Sequence, residues 1–364
     1  MGEETIRVAI VHDWLVTIAG AEKVLIELLR LFPDADLFAL VDFLDQKDRK
    51  KIFGKKAKTT FIQHLPFARR AFRNYLPLFP KAIESLDLRG YDLIISSSWA
   101  FAKGVKKEPH QKHICYCHTP IRYAWDLREE YLGHLSPIKR PVVDRVLESI
   151  RKWDRQRSNS IDRFIANSSC VKDRIARIYD QEAVVVHPPV DTQKFTLCRQ
   201  KEEYYLTLSR LVPYKKTALI VEAFNQMPNR RLKVVGVGEE YERIKNMAKE
   251  NVEVLGYKED DEVVELMRKA KGFVYAALED FGIVMAEALA CGTPVIAYGV
   301  CGARDIVTPK SGIVFKRQDP KSIQLAIERF ESQRFDHEKI RESALQFSQK
   351  NFLQKIDKIV HETL

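Results

Sequence analysis

Apolar residues along the chain fall into two alternating rhythms. Short, nearly unbroken runs at Ile6–Val11, Ala35–Val41, Leu93–Ser97, Lys112–Cys117 and Arg163–Asn167 read as strands. Between them lie stretches of period near 3.6, as at Val24, Leu28 and Leu31, with helices also predicted at about Pro66–Asn74, Tyr123–Leu132 and Pro141–Ser160. The alternation resumes after Pro188-Pro189 with strands at Tyr204–Leu208, Arg231–Val237, Val252–Leu255, Gly272–Ala276, Pro294–Tyr298 and Gly312–Phe315. Helices are expected there at Ala218–Asn225, Glu239–Glu250, Asp260–Ala270, Ile283–Ala290 and Pro320–Glu331. Strands alternating with helices predict mostly parallel sheets covered on both faces, an α/β chain of two doubly wound, Rossmann-like domains. The expected boundaries are residues 1–187, residues 188–345, and a C-terminal helical segment, 346–364, that packs back on the N-terminal domain. Two such domains are expected to face a cleft at the C-terminal ends of their strands, where ligands bind in open α/β sheets.

One stretch carries most of the candidate chemistry: Glu279 to Pro294, EDFGIVMAEALACGTP. Between Ile283 and Val295 the only charged residue is Glu287, expected about two turns inside a helix. A carboxylate in so apolar a helix needs a partner, such as a sugar hydroxyl. Glu279 stands just before the helix, whose N-terminus offers free N–H groups and a positive dipole end suited to phosphate. An acidic helix cap with one satisfied inner Glu fits the same residues.

Composition narrows the class. With 45% apolar and 30% charged residues over 364 positions, the chain is expected to be globular. No run approaches the ~20 apolar residues that span a bilayer, and the opening MGEETIRVAIVHD lacks the basic and apolar regions of a signal peptide. The six Cys form no Cys-x-x-Cys and no metal spacing, so reduced thiols and a cytoplasmic location are expected. Residues 1–180 hold 32 Lys+Arg against 23 Asp+Glu (net +9), and the remainder 28 against 27 (net +1). The excess gathers in KDRKKIFGKKAK, with Lys50, Lys51, Lys55 and Lys56, and in the following FIQHLPFARRAFRNYLPLFP, with Arg69, Arg70 and Arg73 among aromatics. Interleaved apolar residues favour an anionic membrane surface, so the protein is expected to be peripheral on the inner face of the cell membrane. Nucleic-acid binding would rest on charge alone and is not expected; a solvated basic face stays open.

Other signals are weaker. Gly236-Val237-Gly238 follows a strand like a dinucleotide fingerprint, but Tyr241 occupies the third small position, so a plain strand–helix turn is expected. Asp34-Ala35-Asp36 has a metal-like spacing but sits where Asp is common in turns. Arg210 and Lys215 follow a strand, where a diphosphate could use a planar fork and a point charge. Gly20 lies in the first strand–helix turn, where a backbone can approach phosphate closely. His118 ends a strand of the first half.

Together these residues resemble the retaining GT-B-fold glycosyltransferases of family four. Glu279 and Glu287 match that family's Glu-x7-Glu signature, SRLVPYKK its phosphate element and AGAEKVL its Gly-Gly-Ala-Glu loop. IANSSCVKDRI and HPPVDTQKF are similar to its interdomain segments. More narrowly, TTFIQHLPFARRAFRNYLPLFPKAIESLDL and HICYCHTPIRYAWD resemble bacterial O-antigen and capsule mannosyltransferases. The resemblance implies that Arg210 and Lys215 hold a donor diphosphate, that Glu287 binds ribose, and that Glu279 binds the transferred sugar. The N–H groups of Phe281, Gly282 and Ile283 would lie beside Glu279, and Val284 would also bind the donor. Gly256, Tyr257 and Lys258 would border the base, Gly20 approach the phosphate, and His118 lie near the donor sugar. It further implies mannose transfer from GDP-mannose to a polyprenyl-diphosphate-linked saccharide, without metal or other cofactor. A UDP-sugar transferase of the same fold and a non-catalytic nucleotide-sugar-binding protein are the alternatives. Three positions depart from the pattern: Ala19 replaces the loop's first Gly, Cys301 replaces a Gly, and Asp305 stands where Glu is usual.

Overall fold

In the computed structural model, residues 6–133, 136 and 138–364 are described. The reading of the N-terminal leader concerns in part residues 1–5, which lie outside them. The chain forms two compact units, Met1–His187 with Leu353–Leu364, and Pro188–Phe352.

The first unit is built on a seven-stranded parallel sheet. Its strands are β1 (Val8–His12), β2 (Asp36–Ala39), β3 (Lys58–Thr59), β4 (Leu93–Ser98), β5 (Lys112–Cys117), β6 (Arg163–Ala166) and β7 (Ala183–Val185), in the order β3-β2-β1-β4-β5-β6-β7. Every residue of β1 and β4 is buried, which is why they read as continuous apolar runs rather than alternating ones. The second unit repeats the plan. Strands β8 (Glu202–Leu208), β9 (Arg231–Val235), β10 (Val252–Gly256), β11 (Ala270–Tyr275), β12 (Val295–Tyr298) and β13 (Gly312–Phe315) are parallel in the order β10-β9-β8-β11-β12-β13. In each sheet the strand order reverses beside the first strand, between β1 and β4 and between β8 and β11. The crevice at such a reversal is where doubly wound sheets bind ligands.

Several expected elements differ. The last helix, expected over about 338–364, is two, His337–Ala344 and Gln349–Thr363, separated by a 3-10 turn and an extended Ser348. Ser348 pairs with Val190 as a parallel bridge, with Val190 N–H donating to Phe347 and Gln349 N–H donating to Val190. A residue 158 positions away therefore interrupts a locally helical pattern. The helix expected at 123–132 starts only at Arg128 and ends at Gly133, because Ala124 and Trp125 turn back on Ile121. Pro66–Asn74 holds only a single helical turn, Ala68–Ala71, followed by a 3-10 stretch containing Pro77. The helix expected at 239–250 spans only Tyr241–Met247. Strands β3 and β7 were not anticipated. The reduced-thiol expectation is met at four of the six cysteines, Cys115, Cys117, Cys198 and Cys291. Among the described residues no helix is long and apolar enough to cross a membrane.

The bridge at Val190 is reinforced by Arg341. Its guanidinium donates to the carbonyls of Phe195 (2.7 Å), Ala290 (2.5 Å) and Thr192 (2.9 Å). A planar fork serves three divergent acceptors, a geometry that Lys cannot reproduce. Arg341→Ala is expected to destabilise the second unit by about 2–3 kcal/mol, with Arg341→Lys recovering only part; denaturant melts of the three forms would check this.

Candidate functional site

In the second unit, the polar side chains gather where β8 and β11 part. The 3-10 turn Pro213–Lys215 follows β8, and the loop 276–282 follows β11. Lys215 Nζ forms an ion pair with Glu279 Oε1, and the Tyr275 hydroxyl lies 3.3 Å from that carboxylate and 3.4 Å from Lys215 Nζ. Burial, then the Glu279 charge, pushes the Tyr275 phenol well above its usual range, so it stays protonated and can donate. Lys215 and Glu279 side chains keep 17% and 22% exposure, enough for a ligand to reach both.

The loop ends in Gly282, at φ +82, which caps the helix Ile283–Ala290. A Cβ on Gly282 would stand 2.5 Å from Met285 Cε, in a conformation that side-chain-bearing residues rarely adopt. Gly282, Ile283 and Val284 are half-buried, leaving the helix N-terminus accessible, whereas the Phe281 ring is buried edge-on against Phe347. Glu287 is 5% exposed and lies about one turn into the helix, not two, because the helix starts at Ile283. Behind the loop, Gly302 N–H donates to Glu279 O, and a Cβ on Gly302 would fall 2.1 Å from Phe281 O. Cys301, at the position where the family pattern has Gly, holds φ +54, a left-handed conformation favoured by glycine.

Arg210 is not joined to the Lys215–Glu279 cluster by any contact among the described residues. It is exposed and lines a cavity of about 480 Å³ with Gly236, Gly238, Tyr257 and Lys258 at the ends of β8, β9 and β10. Gly236 and Gly238 serve packing: a Cβ would lie 1.9 Å from Ser209 O and 2.2 Å from Leu211 O respectively. Gly256, at φ +69, ends β10 under the Tyr241 ring, Tyr257 is exposed, and Lys258 pairs with Glu262 at 2.9 Å.

In the first unit, a second constellation occupies the reversal between β1 and β4. His12 ends β1, Ser97 faces it across the register, and His118 follows β5. His12 Nδ1 lies 3.1 Å from Ser97 Oγ, and Ser97 Oγ lies 2.8 Å from His118 Nε2. Trp99 stands edge-on to both imidazoles, at 4.9 and 5.9 Å. Next to His12, the buried Asp13 carboxylate accepts the N–H groups of Trp99, Ala100, Phe101 and Ala102 at 2.5–2.9 Å. Gly20 opens the helix Gly20–Leu31; a Cβ there would meet nothing within 4 Å, so packing alone does not require glycine. Ala19 N–H is capped by Glu22 at 2.8 Å.

Sequence reasoning singled out His118 and Gly20 but missed His12, Ser97, Glu22 and Asp13 here, and Tyr275 in the second unit. The signal for these was positional: each strand-borne residue is the last or penultimate residue of a strand flanking a reversal. Of the basic residues, Lys50, Lys51, Lys56, Arg69, Arg70 and Arg73 are exposed. Arg73 lies against the Trp14 and Phe72 rings, and Lys55 is half-buried with its ammonium on Ala35 O. Asp36, of the metal-like pair, is engaged by Lys58 and Tyr91.

Comparison with known proteins supplies the class. Residues 18–194 match the model described as Glycosyltransferase Family 4, and residues 191–347 match Glycosyl transferases group 1. The folded chain is also similar to the structure of Anabaena HepE in complex with UDP, with a TM-score of 0.72, 17% identity, and coverage of 98% of this chain and 100% of that one. Together these support a group 1/family 4 glycosyltransferase with a two-domain GT-B fold. Among curated relatives, a GDP-mannose-dependent monoacylated alpha-(1-6)-phosphatidylinositol monomannoside mannosyltransferase of Corynebacterium glutamicum is 35% identical over 33% of this chain and 36% of its own. An uncharacterised glycosyltransferase of Methanocaldococcus jannaschii is 29% identical over 45% of this chain and 48% of its own. The chain thus spans about half the length of these relatives or less.

His118 and the buried His113 generate a pH dependence. Burial, with the His12 ring beside His118 and Lys107 near His113, pushes both imidazoles down to about 3. In the unfolded chain they protonate near 6.5, so between these values the unfolded state binds more protons and stability falls as pH drops. Each is expected to contribute up to about 1.4 kcal/mol per pH unit within that window. Urea melts between pH 7 and 4, with His113→Gln as control, would check the slope.

Proposed function

We propose that the chain is a retaining glycosyltransferase that moves a hexose, mannose from GDP-mannose, onto a membrane-borne polyprenyl-diphosphate saccharide. The observation that carries the reading is the Lys215–Glu279–Tyr275 cluster at the N-terminus of the helix Ile283–Ala290, where β8 and β11 part. In the transfer, negative charge develops on the leaving diphosphate. Lys215, Arg210 and the helix N-terminus supply fixed positive charge for it, without reorganisation during the reaction. Glu279 accepts hydrogen bonds from hydroxyls of the transferred sugar, with Lys215 and Tyr275 both on its Oε1, and Glu287 binds the ribose. The cavity bordered by Arg210, Gly256, Tyr257 and Lys258 takes the base. Gly20 and His118 keep the phosphate and sugar roles that the resemblance implies for them. Attack from the leaving group's own face retains configuration, and the departing phosphate helps to take the acceptor's proton. No protein nucleophile and no metal enter this scheme.

Mannose is favoured by the similarity to the GDP-mannose-dependent enzyme of Corynebacterium glutamicum. A UDP-sugar donor is the second reading, favoured by the similarity to a protein solved with UDP. A thermal-shift series with GDP, UDP, ADP and their sugars, with and without EDTA, separates them. A ligand at about 100 times its Kd should stabilise by ~2.7 kcal/mol, a shift of several degrees. A GDP-selective shift that survives EDTA is the expected result, UDP selectivity would overturn the sugar, and silence from every nucleotide would overturn the reading. Lys215→Ala is expected to weaken diphosphate binding by about 1.5–3 kcal/mol, roughly 10- to 100-fold.

Docking to an anionic membrane is assigned to the segment from Lys47 to Pro80. There Phe67 and Phe53 are 80% and 53% exposed amid Lys50, Lys51, Lys56, Arg69 and Arg70. Surface lysines contribute about 1 kcal/mol each near an anionic leaflet. Lys50, Lys51 and Lys56 changed together to Gln, sparing the structural Lys55, should weaken binding to phosphatidylserine liposomes at least tenfold; unchanged binding would remove the membrane from the proposal.

A further inference from the structure

The first unit contains a continuous line of polar atoms for which the proposed reaction assigns only the last member. Glu22 Oε1 lies 3.6 Å from His12 Nε2, His12 Nδ1 lies 3.1 Å from Ser97 Oγ, and Ser97 Oγ lies 2.8 Å from His118 Nε2. His12 and Ser97 are completely buried, and Glu22 and His118 are 5% and 8% exposed. Among the described residues His12 Nε2 makes no hydrogen bond, and the Glu22 carboxylate faces it at 3.6 Å. The other Glu22 oxygen caps Ala19 N–H, which fixes the carboxylate's position.

With His12 neutral, the nearby carboxylate selects one arrangement of protons along this line. A carboxylate only accepts, so its charge favours a proton on His12 Nε2. A neutral His12 protonated there has its lone pair on Nδ1, and Ser97 must donate to it. The single hydroxyl proton is then committed, so Ser97 Oγ accepts from His118 Nε2–H. His118 Nδ1 is left with a lone pair, and among the described residues nothing donates to it. The geometry points to Glu22, acting through His12 and Ser97, as the group that holds His118 in its Nε2–H tautomer and presents Nδ1 as an acceptor for a sugar hydroxyl. Glu22, His12 and Ser97 are positioning residues, and the ligand assignment rests on the glycosyltransferase reading. Burial keeps the His118 ring neutral to about 3, in agreement. A cation at this place would repel nothing in a sugar but could not accept from its hydroxyl.

Glu22→Gln tests the direction of the line. Glutamine keeps the cap, since its oxygen still accepts from Ala19 N–H, but it turns an NH₂ donor toward His12. His12 must then accept at Nε2 and donate from Nδ1, Ser97 must donate to His118 Nε2, and His118 must carry its proton on Nδ1. Long-range nitrogen-15 imidazole spectra of the full chain read this directly, with His118 signals assigned through His118→Asn. The Nε2–H tautomer in the wild type and the Nδ1–H tautomer in Glu22→Gln are expected; the same tautomer in both overturns the proposal. Should Glu22→Gln fail to fold, Ser97→Ala, which deletes one buried hydroxyl, is expected to give a tautomer mixture at His118. An unchanged pure tautomer there overturns it equally. In transfer assays Glu22→Gln is expected to lower kcat about tenfold, with nucleotide affinity unchanged. A tautomer switch in a protein that transfers no sugar would leave the line standing and refute the glycosyltransferase reading. Transfer with an unresponsive tautomer would do the reverse.

Discussion

A carboxylate sealed from water has to be answered by donors, and Asp13 meets that demand with the backbone of another segment. Its two oxygens take four successive N–H groups, those of Trp99 to Ala102. Burial pushes its pKa up, while the N–H groups of Ala102 and Trp99 pull it down. The chain leaving β4 is therefore fastened to the end of β1 at the reversal of strand order. From there the same demand passes outward. Lys103, fully buried, sits 2.7 Å from the equally buried Asp154, whose other oxygen accepts from Trp125 and Tyr179. Such a pair is weak evidence for stability in itself, but losing one member strands a buried charge at a cost of roughly 3–5 kcal/mol. The positions of Ser97 and Trp99, and so of His118, follow from this polar scaffold more than from apolar packing.

The second unit fastens its loops differently. Gly236, Gly238 and Gly302 each bring one backbone within a distance of another that no Cβ would permit. Backbone hydrogen bonds fill the space gained: Leu211 N–H on Val237, Glu240 N–H on Leu211, and Gly302 N–H on Glu279. The turn that carries Arg210 and the loop that carries Glu279 are thereby held by main chain.

The strands were readable because parallel strands are buried on both faces and so show as unbroken apolar runs, while the helix Ile283–Ala290 was readable to the residue. What escaped had causes outside the local pattern. The break at Ser348 is imposed by Val190, and β3 is two residues long. At the site, Glu279 and Lys215 stood out as charges in apolar or loop surroundings. Tyr275 and His12 did not, because each looks like the tail of a strand; only the strand order shows that those tails flank a reversal. Glu22 lay within the AGAEKVL match to the family loop but was not singled out, since the imidazole facing it comes from a different element.

The two units also differ in the kind of polarity they offer. Around Lys215 and Glu279 the second unit keeps opposite full charges side by side, each holding the other in place. Around His118 the first unit has aromatic rings, a hydroxyl and a second imidazole, and burial holds the ring neutral far below physiological pH. A neutral imidazole contributes no Coulombic attraction to a diphosphate but distinguishes donors from acceptors by which nitrogen carries the proton. On the proposed function, charge stabilisation is the task of Arg210, Lys215 and the helix N-terminus, and His118 is suited to directional hydrogen bonding instead. On that proposal a tautomer, rather than a pKa, is the quantity that the Glu22–His12–Ser97 line would control.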